Sequence, residues 1–98
     1  MRIDAILINE KDNVATALRE IDANENIIIA ESKKRINFSV KEKILYGHKF
    51  SINNIDMGED IIKYGEVIGK ATQEIPSGYY AHVHNIESLR GRGDLERK

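Results

Sequence analysis

All three histidines of the chain, His48, His82 and His84, fall within residues 47–85. His82 and His84 stand two apart in Tyr80-Ala81-His82-Val83-His84, a run that reads as a strand. On a strand, side chains two apart share a face. Two imidazoles a strand step apart could grip one metal ion, and His48 could complete a facial set of three. Imidazole suits zinc, iron, manganese or nickel, so spacing does not choose the metal. The same His-x-His pattern also suits rings that cap a sheet edge or pack against Tyr79 and Tyr80. Lys49, beside His48, offers a cation to an anionic substrate or simply to solvent. Glu66, Asp60 and Glu87 are candidate carboxylates for acid–base work or ligation. No local motif suggests a serine–histidine–acid triad.

The elements that must position these groups show a loose internal repeat. Ile55-Asp56-Met57-Gly58 followed by Glu59 to Tyr64 reads against Ile75-Pro76-Ser77-Gly78 followed by Tyr79 to His84. Each copy has an isoleucine, a tight turn ending in glycine, then a strand-like run. Gly58 and Gly78 stand where a turn needs positive φ. The two copies predict similar corners, folded against each other and closing on a common point. Gly65 and Gly69 bracket Glu66-Val67-Ile68 and read as backbone bends, because their spacing fits neither nucleotide-binding fingerprint.

Upstream, the apolar run Ile3 to Ile8 predicts a buried strand. Asp12 stands where a helix N-cap belongs, and Val14, Ala17, Leu18 and Ile21 follow at helical spacing. That pattern predicts a short helix over residues 13–21. Ile27 to Ala30, then Ile36, Phe38 and Val40 alternating with polar residues, predict a hairpin. Phe50 and Ile52 continue the strand pattern. The expected fold is mostly β with one short helix, a single domain over residues 1–88 followed by a charged tail, 89–98. The Arg-Gly-Asp triplet in that tail says little in a chain without secretory features.

Composition excludes several classes. The chain has 98 residues, formal net charge −1, 41% hydrophobic and 32% charged residues, which suits one small globular domain. With no clustered basic face, nucleic acid is not the expected partner. There is no cysteine, which removes disulfides, thiolate metal sites and cysteine nucleophiles. No apolar run is long enough to cross a membrane, and the N-terminal stretch is too short and charged for a signal peptide. Cytoplasmic location is the default expectation.

Five ordered blocks carry a resemblance. They are Asp12 to Leu18, Gly47-His48-Lys49-Phe50, Ile55-Asp56-Met57-Gly58-Glu59, Lys63 to Gly69, and His82-Val83-His84-Asn85. Together they resemble the N-terminal SAF (antifreeze-like) domain of the altronate and galactarate dehydratases. The same module is similar to the small subunit of sulfolactate sulfo-lyase, whose ending resembles residues 85–94. The resemblance implies a β-clip fold and β-elimination of water or sulfite from a hydroxy acid. It also implies a divalent metal, iron first, with manganese or zinc as alternatives.

Only the N-terminal portion of the dehydratases is matched. The resemblance therefore implies a separately encoded small subunit or an excised domain, inactive without a large catalytic subunit. It makes His48 the first candidate for catalysis, and His48, His82 and His84 the candidate metal ligands. Asn13, Lys49, Glu66 and Asn85 become candidates for holding a sugar acid. A binding module for acidic sugars, a structural adaptor and a homo-oligomer are the other arrangements compatible with the chain.

Overall fold

The computed structural model describes residues 2–88, and the predicted tail lies outside the described residues. Every helix or strand element among them is a strand: β1 Ala5–Ile6, β2 Val14–Ala17, β3 Asn26–Glu31, β4 Lys34–Ser39, β5 Lys49–Ser51, β6 Asp60–Lys63, β7 Glu66–Ala71, β8 Tyr80–Ala81 and β9 Ile86–Ser88. Six pair in the order β4-β3-β1-β2-β5-β8, and three form a second sheet, β6-β7-β9. The β1–β3 pairing is parallel. Two apolar clusters form the core, the second joining Val14 of β2 and Ala81 of β8 to the three-stranded sheet. The first gathers around Ile21, Ile44 and Phe50, the second around Ile55, Ile61 and Ile75.

Four matching corners, rather than two, organise the chain. They are Ile21 to Glu25, Ile44 to His48, Ile55 to Glu59 and Ile75 to Tyr79. Each holds a turn closed by one backbone bond: Glu25 N to Asp22 O, His48 N to Leu45 O, Glu59 N to Asp56 O, and Tyr79 N to Pro76 O. The third turn residue has positive φ in every case: Asn24 65°, Gly47 80°, Gly58 88° and Gly78 90°. That is the type II geometry, which favours glycine and tolerates asparagine.

The corners dock in reciprocal pairs. Ile21 and Ile44 exchange backbone hydrogen bonds of 2.8 and 2.9 Å, and Ile55 and Ile75 exchange two of 2.8 Å. Within each pair, the positive-φ amide donates to the carbonyl four residues before the partner's isoleucine. Asn24 donates to Val40 and Gly47 to Ala17; Gly58 donates to Ala71 and Gly78 to Ser51. All four isoleucines are essentially fully buried, each contributing about 1.5–3 kcal/mol.

The short helix over residues 13–21 does not form; that stretch holds β2. Val14, Ala15 and Ala17 are all buried, because β2 lies inside the sheet between β1 and β5. Burial on both faces of a strand mimics the apolar count of a helix stripe, and small alanines suit close strand packing more than their helix propensity suggests. Asp12 is not an N-cap. Its carboxylate accepts from the amides of Asn9, Tyr64 and Gly65, pinning the β6–β7 turn.

The run Tyr80 to His84 is a strand only at Tyr80–Ala81, with a turn following. Gly65 sits in a tight turn with φ 73°. Gly69 instead lies inside β7, where an added Cβ would stand 2.4 Å from the Glu87 carbonyl oxygen. Its role is close approach of β9 rather than a bend.

Candidate functional site

The second corner delivers His48 to the start of β5. Across the sheet, Lys49 pairs with Ala81 and Phe50 with Tyr80. After Ala81 the chain turns back under the control of Asn85, which is buried. Its Oδ1 accepts from the His82 amide and its Nδ2 donates to the Tyr80 carbonyl, both at 2.8 Å. Its own amide donates to the His82 carbonyl. The predicted alternation of His82 and His84 along one strand face is therefore replaced by a side-chain-closed turn.

That turn still brings the histidines together, around Tyr80. The rings of His48 and His82 stack with centroids 4.5 Å apart, 29° from parallel. The Tyr80 ring lies 5.5 Å from both His48 and His82 and 5.4 Å from His84. The Tyr80 hydroxyl is hydrogen-bonded to His48 Nδ1, and the Tyr80 amide donates to Glu42 Oε1 at 2.8 Å. Stacked contacts of this kind are worth about 0.5–1.5 kcal/mol each beyond area burial. Sequence reasoning offered Tyr80 only as a packing surface; it is the centre of the cluster. Its place two residues before His82 was the available signal.

Electrostatics set the protonation states. Burial lowers the pKa of His82, and the nearby charges of His48, Lys49 and His84 lower it further. His82 is therefore neutral imidazole at neutral pH, able to accept a proton. Lys49 is half-buried, and burial and then the charge of Lys63 depress its pKa. Among the described residues the ion pairs are Arg2–Asp4, Arg19–Asp4, Arg19–Glu25 and Lys43–Glu20, so Lys49 has no acidic partner there.

The other candidates have different placements. Asn13 is buried in the seam between the sheets; its Nδ2 donates to the Asp60 carbonyl and its Oδ1 accepts from the Ile62 amide. Both ends of its amide, like those of Asn85, are thus engaged by backbone. Glu66 is exposed at the start of β7, opposite Lys63.

Among the described residues, no three histidine, aspartate or glutamate side chains gather into a group that could hold a metal ion. The physical reason lies in the stacking. Nitrogen lone pairs lie in the ring plane, and near-parallel rings aim them side by side rather than at one point. His48 Nδ1 is already committed to Tyr80. This donor set does not fit a divalent ion by itself. Also among the described residues, no helix is long and apolar enough to cross a membrane.

Glycine corners that fold two sheets onto one another define a β-clip domain. The chain belongs to the family described as the altronate/galactarate dehydratase SAF domain, which it matches over residues 3–89. It is 37% identical over 83 residues to the altronate dehydratase of Bacillus subtilis, an alignment covering 85% of this chain and 16% of that enzyme. It is 31% identical over 93 residues to the (2R)-sulfolactate sulfo-lyase subunit alpha of Chromohalobacter salexigens, covering 92% of this chain and 99% of that subunit. The galactarate dehydratase of Escherichia coli is 37% identical over 73 residues, 74% of this chain and 13% of that enzyme. The chain thus spans only a small part of the dehydratases and nearly all of the sulfo-lyase subunit.

Proposed function

We propose that the chain is the small SAF-domain subunit of a cytoplasmic carbon–oxygen or carbon–sulfur lyase, completed by a larger catalytic subunit. The observation that carries this reading is the His48–Tyr80–His82 cluster, set beside a lysine with no acidic partner among the described residues. The relative named as subunit alpha, matched along nearly its whole length, supports the partner. So do apolar side chains left in solvent: Tyr46 and Met57 at corner tips are each 72% exposed, and Val83 in the histidine turn is 81% exposed. Large apolar side chains left in solvent suit a protein interface.

The chemistry is elimination from a hydroxy acid. A proton leaves the carbon next to the carboxylate, the carbon–oxygen or carbon–sulfur bond breaks, and a double bond forms between the two carbons. Neutral His82 is suited to accept that proton, and the hydrogen-bonded His48–Tyr80 pair to protonate a departing hydroxide. Negative charge gathers on the acid as the proton leaves, and Lys49 is placed to offset it. A divalent ion, iron first, enters this proposal only as a group whose ligands come from the partner as well. Asn13 and Asn85 serve by holding the seam and the histidine turn in place.

The test is co-purification and assay. The chain, co-expressed with its native large partner, is expected to form a complex that consumes one of altronate, galactarate or sulfolactate, with neither polypeptide active alone. Full turnover by the large partner without this chain contradicts the proposal. Lys49, without an acidic partner among the described residues, also favours a binding module for acidic sugars; tight binding of those acids by the chain with no partner in the native host would select it.

A further inference from the structure

Thr16, Lys49 and Ala81 stand opposite one another on β2, β5 and β8, so their side chains share one face of the sheet. Two features of that face are unbalanced. The Thr16 Oγ1 is buried with no hydrogen-bond partner among the described residues, a state that costs free energy unless something meets it. Lys49 is half-buried and meets no carboxylate among the described residues, and Lys63 adds a second positive charge close enough to act on it. Lys63 belongs to β6, which is held to the start of β2 through both ends of the Asn13 amide. Glu66, its neighbour across the hairpin, is exposed and forms no ion pair with it. On the β8 side Ala81 is fully buried in the second apolar cluster and closes that end of the face, and His82 follows it directly.

We propose that Thr16, Lys49 and Lys63 form an oxyanion subsite that takes the carboxylate or sulfonate of a small organic acid at the edge of the histidine cluster. Two ammonium groups and a hydroxyl donor are what such a group requires, since each of its oxygens accepts charge-assisted hydrogen bonds. The subsite deepens the lyase reading and rests on it for the identity of the acid. The lysine and threonine geometry stands without it.

The test uses the full chain alone, so it does not depend on assembly with a partner. Amide resonances are followed while tartrate or methanesulfonate is added at constant ionic strength, with chloride as the control. The expected result is saturable shifts centred on Thr16, Lys49, Lys63 and His82. Affinity should fall at least tenfold in Lys49→Met and several-fold in Thr16→Val, and stay unchanged in Lys33→Met. The two acids separate carboxylate from sulfonate preference. Shifts that do not saturate, that spread over the exposed lysines, or that persist unchanged in Lys49→Met overturn the subsite. If Lys49→Met fails to fold, the wild-type shift map and Lys49→Gln decide. An active reconstituted lyase with no such binding removes this subsite alone, whereas binding without any lyase activity removes only the lyase reading.

Discussion

The ring of His82 lies against that of His48, 4.5 Å between centroids, although one sits in a turn after β8 and the other at the mouth of β5. Burial and the neighbouring positive groups hold the His82 pKa below its ordinary value of 6.5. The unfolded chain then binds the His82 proton more readily than the folded one. Stability is present above the unfolded pKa, about 6.5, and is lost as pH falls below it toward the depressed folded value. Thermal melts from pH 7 to pH 5 should show a smaller loss of Tm in His82→Phe, which keeps the stack, than in the native chain. A carbon-detected titration of His82 should place its midpoint below 6.5.

Lys49 leads to a stability–function trade. Its ammonium is half-buried beside Lys63 with no acidic partner among the described residues. Lys49→Met keeps the length and removes the charge. The isolated domain should gain roughly 0.5–1 kcal/mol, a rise of a few degrees in Tm. Thr16→Val should also stabilise it slightly, since the lost hydroxyl has no partner among the described residues. Differential scanning calorimetry of both variants checks this.

Asp4 is the buried ionic anchor of the first sheet. Its carboxylate accepts from the Ile28 amide at 2.8 Å, Arg19 Nε at 2.9 Å and Arg2 Nε at 3.0 Å. Burial alone would raise its pKa, but the Ile28 amide and the two arginines outweigh that and hold it below the usual carboxylate range. A depressed folded pKa means stability present above the unfolded pKa and lost as pH falls through the folded one. Asp4→Asn should cost roughly 2–4 kcal/mol in urea unfolding, less than a fully enclosed pair because both arginines reach solvent. The variant should also lose part of the acid sensitivity below about pH 4.

Two glycines should fail for different reasons. An added Cβ at Gly58 meets nothing within 4 Å, but φ is +88°, so Gly58→Ala should cost roughly 1 kcal/mol of backbone strain. At Gly69 the conformation is ordinary, yet a Cβ would stand 2.4 Å from the Glu87 carbonyl. Gly69→Ala must displace β9 and should cost roughly 2–3 kcal/mol. Urea midpoints that reverse this order would contradict the account of β7.

What the sequence disclosed follows from how local each signal is. The β3–β4 hairpin was legible because Ile27 to Ala30 and the alternation of Ile36, Phe38 and Val40 report burial directly. The corners at Gly58 and Gly78 were legible because glycine marks their positive φ. Their two counterparts were not: Asn24 replaces glycine in one, and apolar Leu45 and Tyr46 disguise the turn in the other. Residues 13–21 misled because a strand buried on both faces and a helix stripe can share an apolar count. At the site, the concentration of histidines was visible, but the geometry joining them was not. It depends on the Asn85 amide closing a turn and on Tyr80 pairing with Phe50, contacts made only once β5 and β8 meet.

In the proposed assembly, the stacked cluster of this small chain serves the chemistry of the whole. The most direct measurement is kcat of the reconstituted complex carrying His48→Ala or His82→Ala, with size-exclusion chromatography confirming intact assembly. A fall in kcat of at least a hundredfold for each, with Lys33→Met unchanged, is the predicted result. Native kcat in either histidine variant, with the complex still assembled, would contradict it.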